Sequence, residues 1–119
     1  MKIRETGFIL FLEDYKRNVD FYSLKLGLSI REQKENLTIF NFGNSYLMVE
    51  ANGVKSEVEK TRAQNPTVIR IDIEDFDKTL EVLKRQLDVK VYRHTWGTIG
   101  VIIDPEGNRI ELKDVSLSL

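Results

Sequence analysis

The feature that most constrains this chain is a strand that runs straight into a helix, occurring twice with the same internal spacing. The first copy is GFILFL from Gly7, then Glu13 and Asp14, then apolar residues at Tyr15, Val19, Tyr22 and Leu26. The second is VIRIDI from Val68, then Glu74 and Asp75, then Phe76, Leu80, Leu83 and Leu87. Steps of four, three and four put each apolar set on one helix face, and every matched pair of positions lies 61 residues apart. Asp14 and Asp75 stand where a short carboxylate accepts bonds from first-turn amides and opposes the helix dipole, so both read as N-caps. Gly27 closes the first helix at a position that can take the left-handed conformation.

Three strand-like runs follow each helix. They span Leu28–Gln33, Leu37–Phe42 and Ser45–Glu50 in the first copy, and Val89–Thr95, Thr98–Ile103 and Asn108–Lys113 in the second. Turn residues separate them. Each copy is therefore a β-α-β-β-β module, and the fold class is α+β, with two tandem modules forming curved mixed sheets around a concave cleft. A four-stranded sheet with one helix leaves its second face to be covered by the other module, another subunit or a ligand. Module one is placed at about residues 5–50 and module two at about 67–114, within a single domain spanning 1–119. The polar stretch from Ala51 to Pro66 lacks an apolar face and reads as a connecting loop.

Composition removes several classes of function. Eighteen Lys and Arg against nineteen Asp and Glu leave a formal charge of −1, so no field draws nucleic acid or an anionic membrane. Without cysteine there is no disulfide framework, thiolate metal site or thiol nucleophile. The apolar run Gly7–Leu12 is too short for a signal-peptide core or a membrane span, and a cytoplasmic protein is expected.

Two motifs sit at matching places in the repeat. LEDYKRNVDFYSLKLGL, from Leu12 to Leu28, combines an acidic turn, an F-Y pair and L-G-L. WGTIGVIIDPEGNRIEL, from Trp96 to Leu112, is a hairpin closing through D-P-x-G-N into an I-E-L strand. Together they resemble the vicinal oxygen chelate superfamily of glyoxalases, bleomycin-resistance proteins and extradiol dioxygenases. The D-P-E-G-N segment also has a local explanation. Pro105 sets its own φ, Gly107 supplies a positive φ, and Asp104 and Asn108 can bond to the turn backbone.

The resemblance implies four metal-ligand positions, one near the start of the first strand and one on the last strand of each module. Those positions fall on Gly7, Val68, Glu111 and either Met48 or Glu50, depending on the register of the first closing hairpin. Gly and Val cannot coordinate through their side chains, and a thioether poorly suits oxygen-seeking ions. No cofactor is therefore expected; a divalent metal is possible but not expected. The sole histidine, His94, lies at a strand end without a recognisable second ligand and reads as a rim residue.

Strand alternation predicts what lines the cleft instead. With Glu111 on the cleft side, Arg109 and Lys113 share it, as do Gly7, Ile9 and Phe11 on the first strand and Val68, Arg70 and Asp72 on its repeat. Tyr46, Met48 and Glu50 join them, with Phe40 and Trp96 as aromatic walls and His94 at the rim. Such a cleft suits an organic ligand, with aromatic and Met surface for apolar contact and Arg70, Arg109 and Glu111 for orientation. The alternative is that Arg70 and Glu111 pair with each other, removing a lone charge from a half-buried face.

The expected function is metal-independent binding of a small organic ligand, of the bleomycin-resistance type, by a homodimer without nucleic-acid or membrane partners. The alternatives are a glyoxalase- or dioxygenase-like lyase or isomerase with atypical ligands such as Glu50, His94 and Glu111, a metal-free enzyme using Glu111 as acid or base, or an assembly module whose clefts are filled on dimerisation.

Overall fold

The computed structural model describes residues 1–117, which fall into two compact units divided between Glu57 and Val58. Each unit holds one β-α-β-β-β module. In the first, β1 (Gly7–Leu12), α1 (Tyr15–Asp20), β2 (Ile30–Gln33), β3 (Leu37–Phe42) and β4 (Ser45–Ala51) form a sheet in the order β1-β4-β3-β2. In the second, β5 (Ile69–Ile73), α2 (Phe76–Leu83), β6 (Lys90–His94), β7 (Gly97–Ile103) and β8 (Arg109–Asp114) form a sheet in the order β5-β8-β7-β6. Each sheet is mixed, because β1 runs parallel to β4 and β5 parallel to β8 while the other pairs are antiparallel. The helix supplies the crossover that a parallel pair requires.

Burial follows the alternation. Along β1, Leu10 and Leu12 are buried while Ile9 and Phe11 are exposed. Along β5, Ile69 is buried and Ile71 and Ile73 half-buried, while Arg70 and Asp72 are exposed. The first helix continues beyond α1 as a π-helical turn, Phe21–Lys25, in which the Leu26 amide donates to the Phe21 carbonyl. That wider turn lets the consecutive aromatics Phe21 and Tyr22 both enter the core, edge to face at 5.0 Å. Gly27 ends the segment at φ +87°.

The two N-caps differ. The Asp14 carboxylate accepts a long bond of 3.4 Å from the Arg17 amide. Asp75 stands at the N-cap of α2 with left-handed backbone, φ 49° and ψ 53°, and its side chain makes no capping bond. The expected carboxylate cap at Asp75 is therefore corrected: in the left-handed conformation its backbone turns the chain into the helix without its side chain reaching the first-turn amides.

In the second unit α2 lies over the face carrying Leu112, Ile110 and Gly100. A Cβ at Gly100 would sit 3.1 Å from Val89 and 3.5 Å from Leu80, so the absence of a side chain lets the helix approach the sheet. The stretch after β4 takes neither strand nor helix up to β5, as its composition suggests. Part of it is tied to the closing hairpin, because the Lys60 amide donates to the Gly107 carbonyl at 2.7 Å and Asn65 Nδ2 to Asn108 Oδ1 at 2.9 Å. Among the described residues no helix is long and apolar enough to cross a membrane.

Candidate functional site

The sheet registers settle which residue of the first unit corresponds to Glu111. Arg70 on β5 pairs with Glu111 on β8, and Ile9, 61 residues before Arg70, pairs with Met48 on β4. Met48 is thus the counterpart of Glu111, and Glu50 lies one pleat further on, beside Phe11.

The residue types and their geometry do not fit a divalent ion at the four positions. In the first unit, the Tyr46 ring lies directly over Gly7, so close that a Cβ on Gly7 would fall 1.8 Å from Cζ of Tyr46. The space next to this backbone is occupied by an aromatic ring. Tyr46 is in turn faced by the Arg31 guanidinium at 5.8 Å, which also forms a two-pronged pair with Glu5 at 2.9 Å for both contacts. The Arg31 contact holds the Glu5 carboxyl below its ordinary pKa.

In the second unit, the surviving carboxylate is engaged at both oxygens. Arg70 donates to Oε1 of Glu111 from Nη2 at 2.6 Å and from Nε at 3.2 Å, and Arg109 donates to Oε2 from Nε at 2.8 Å. Nη1 of Arg109 reaches Glu59 at 3.4 Å. The Glu111 side chain is only 12% exposed, whereas that of Arg70 is 44% exposed. Burial pushes the Glu111 carboxyl up, but the hydrogen bonds and charges of Arg109 and Arg70 outweigh it and hold the group below the ordinary range. A carboxylate held ionised, with both oxygens bonded, is poorly suited to act as a general acid. Two guanidinium groups around it also oppose a divalent cation. Among the described residues no three His, Asp or Glu side chains gather as a metal set.

Other expected lining residues are near this triad. The Arg70 guanidinium lies over the Trp96 ring at 5.4 Å, and the Trp96 ring stacks on His94 at 4.7 Å with an interplanar angle of 8°. The second unit thus assembles Arg70, Arg109, Glu111, Trp96 and His94. Ile9, Phe11, Tyr46, Met48 and Glu50 share the helix-distal face of the first unit.

Phe40 departs from the expectation of an aromatic wall. It is fully buried, pairs across the sheet with Leu47 and meets Tyr22 at a centroid distance of 6.2 Å, so it belongs to the core under the helix. The alternation of β3 is disguised by Thr38, a polar residue on the same buried face whose hydroxyl is 2.6 Å from the Tyr15 hydroxyl. A buried, bonded threonine looks like a surface residue in the sequence.

Applying the same alternation to β6 and β7 would have added residues to the predicted face. Lys90, Val101, Glu111 and Arg70 form one row across the sheet, and Tyr92, Ile99, Lys113 and Asp72 form the next. A recess of about 270 Å³ opens here, lined by Glu59, Lys90, Tyr92, Val101, Ile103 and Arg109 among others. A second recess, of about 330 Å³, lies beside Arg109 along the segment from Glu59 to Thr67. That segment was expected to do no more than connect.

The D-P-E-G-N turn has the role its chemistry suggests. Asp104 Oδ1 accepts from the amides of Glu106 and Asn108 at 2.9 and 2.8 Å, Oδ2 accepts from Asn108 Nδ2 at 3.0 Å, and Gly107 takes φ +88°.

Residues 6–112 match the family model described as Glyoxalase/Bleomycin resistance protein/Dioxygenase superfamily. Solved structures with the same fold include a putative glyoxalase family protein from Bacillus anthracis, at 15% identity over 96% of both chains with a TM-score of 0.75. A lactoylglutathione lyase from Agrobacterium tumefaciens is 20% identical over 94% of this chain and 93% of its own, with a TM-score of 0.72. A bleomycin-binding protein from bleomycin-producing Streptomyces verticillus, complexed with copper(II)-bleomycin, is 18% identical over 96% and 98%, with a TM-score of 0.70. At such identities the likeness shows the fold. No curated protein matches the chain in sequence.

Proposed function

The chain belongs to the Glyoxalase/Bleomycin resistance protein/Dioxygenase superfamily, and from that membership we propose that it is a metal-independent binding protein that sequesters or senses a small organic ligand. The observation that carries this reading is the state of Glu111, whose two oxygens are taken up by Arg70 and Arg109. The remaining family positions are Gly7, Met48 and Val68, none of them a ligand for an oxygen-seeking ion. What the face offers instead is recognition chemistry: an exposed indole and imidazole, half-exposed guanidinium groups and an apolar floor of Val101 and Ile103 beside the recess. A similar solved structure that holds copper(II)-bleomycin supports small-molecule binding as a use of this fold. We place the protein in the cytoplasm as a homodimer. Exposed Ile9 and Phe11 on β1, an edge strand, are apolar surface that a second copy would cover.

The test combines elemental analysis with ligand screening. Protein purified without chelator is expected to carry far less than one divalent ion per chain, and aromatic ligands that raise its melting temperature are expected to do so equally in the presence of chelator. A stoichiometric ion whose removal abolishes those shifts would overturn the proposal. Sedimentation at micromolar concentration tests the dimer, and a monomer there refutes that part.

A further inference from the structure

The helix-distal face of the second unit carries donors that the fold leaves without partners. Arg70 spends Nε and Nη2 on a single oxygen of Glu111, and its Nη1 has no partner among the described residues. The indole N–H of Trp96, beneath that guanidinium, also has no partner among them, and Trp96 is 51% exposed. The nearest carboxylate, Glu111, has both oxygens occupied and is largely covered. Arg70, Lys90 and Arg109 lie on this face with Asp72, Glu111 and Glu59. The parallel, stacked rings of Trp96 and His94 give the site an aromatic wall.

Resting on the binding reading above, we infer that the ligand is an aromatic or otherwise planar carboxylate, its oxygens received by Nη1 of Arg70 and its ring placed against Trp96. Glu111 orients the guanidinium, and Arg109 neutralises Glu111, so that Arg70 keeps its net positive charge for the ligand. This arrangement disfavours cationic ligands, which would meet two guanidinium groups and no accessible carboxylate at the triad.

Trp96 is the only tryptophan, so its emission reads this site directly. The experiment titrates the full chain with para-nitrobenzoate, para-nitrobenzamide and para-nitrobenzyltrimethylammonium, three quenchers that share a ring and differ in charge. A dissociation constant on the order of 1 mM is expected for the carboxylate, in keeping with its size. The amide and the cation are expected to bind at least about 10-fold more weakly, and Arg70→Gln to weaken the carboxylate by roughly 10-fold or more. Arg70→Lys should fall between, and Arg85→Gln, in the exposed turn after α2, should change nothing. Circular dichroism checks that the variants fold, and the shift of the Trp96 indole N–H resonance gives a second reading of binding. If the amide or the cation binds as well as the carboxylate, or Arg70→Gln has no effect, the inference falls while small-molecule binding stands. If none of the three perturbs Trp96, both fall.

Discussion

Replacing Glu111 by Gln keeps the shape of the side chain while removing its charge and one acceptor. The amide oxygen can still accept from one arginine, but the NH2 group then faces the donors of the other, and two guanidinium groups lose their shared counter-charge. Breaking a buried ion pair from one side costs about 3–5 kcal/mol. Here Arg70 is 44% and Arg109 29% exposed, so water recovers much of that loss. We expect a cost of about 2 kcal/mol at neutral pH, or roughly 6–10 °C in melting temperature for a chain of this size. The cost should depend on pH in a defined direction. The Glu111 pKa is lowered in the folded protein, so its stabilisation is fully present above the unfolded value near 4.5 and is lost as pH falls through the folded value. Urea denaturation of wild type and Glu111→Gln should therefore show a constant difference from pH 8 to about pH 5. That difference should shrink at lower pH. A gap that is negligible at pH 7, or unchanged through the acid range, would refute the view that Glu111 is held as an ion by its two arginines.

Three further substitutions examine other parts of the fold. Gly7→Ala would drive a Cβ into the Tyr46 ring, and a loss of about 1–3 kcal/mol is expected in urea melts; it should be smaller when Tyr46→Ala is also present, and equal losses in both backgrounds would contradict the packing described. Asp104→Ala removes an acceptor from three hydrogen bonds inside a buried turn and should cost about 2–3 kcal/mol by the same measurement, an unchanged midpoint being the refuting result. Phe40→Ala should destabilise by about 3–5 kcal/mol whereas Trp96→Ala should cost under about 1 kcal/mol, because the first ring is buried and the second half-exposed; the reverse order would return Phe40 to the surface.

How much of this was legible depends on whether the signal survives a shift of register. The module order was readable because a helix of period 3.6 following a strand of period 2 is hard to mistake, and because it occurs twice. β3 was delimited at both ends, Leu37 and Phe42, by the turn residues around it. The π-helical turn had no such mark. The adjacent aromatics Phe21 and Tyr22 conflict with a strict helical face, since only a widened turn buries both.

The site was legible in its residues and ambiguous in its registration, for one physical reason. Tyr46, Met48 and Glu50 share a face of β4, so sliding the hairpin by two keeps every side chain on its side and changes only its partners. Hydrophobic patterning cannot detect that slip. Cross-strand pairing can, and it shows that the two modules fill the positions where the resemblance implies metal ligands in different ways. In the first, a glycine opens space that Tyr46 fills from the neighbouring strand; in the second, the carboxylate stays and Arg70 and Arg109 supply the positive charge that an ion would otherwise bring. The first substitution sets an aromatic ring against the Gly7 backbone. The second leaves a cation with unused N–H groups, so the ligand's polar end is expected at Arg70 in the second unit.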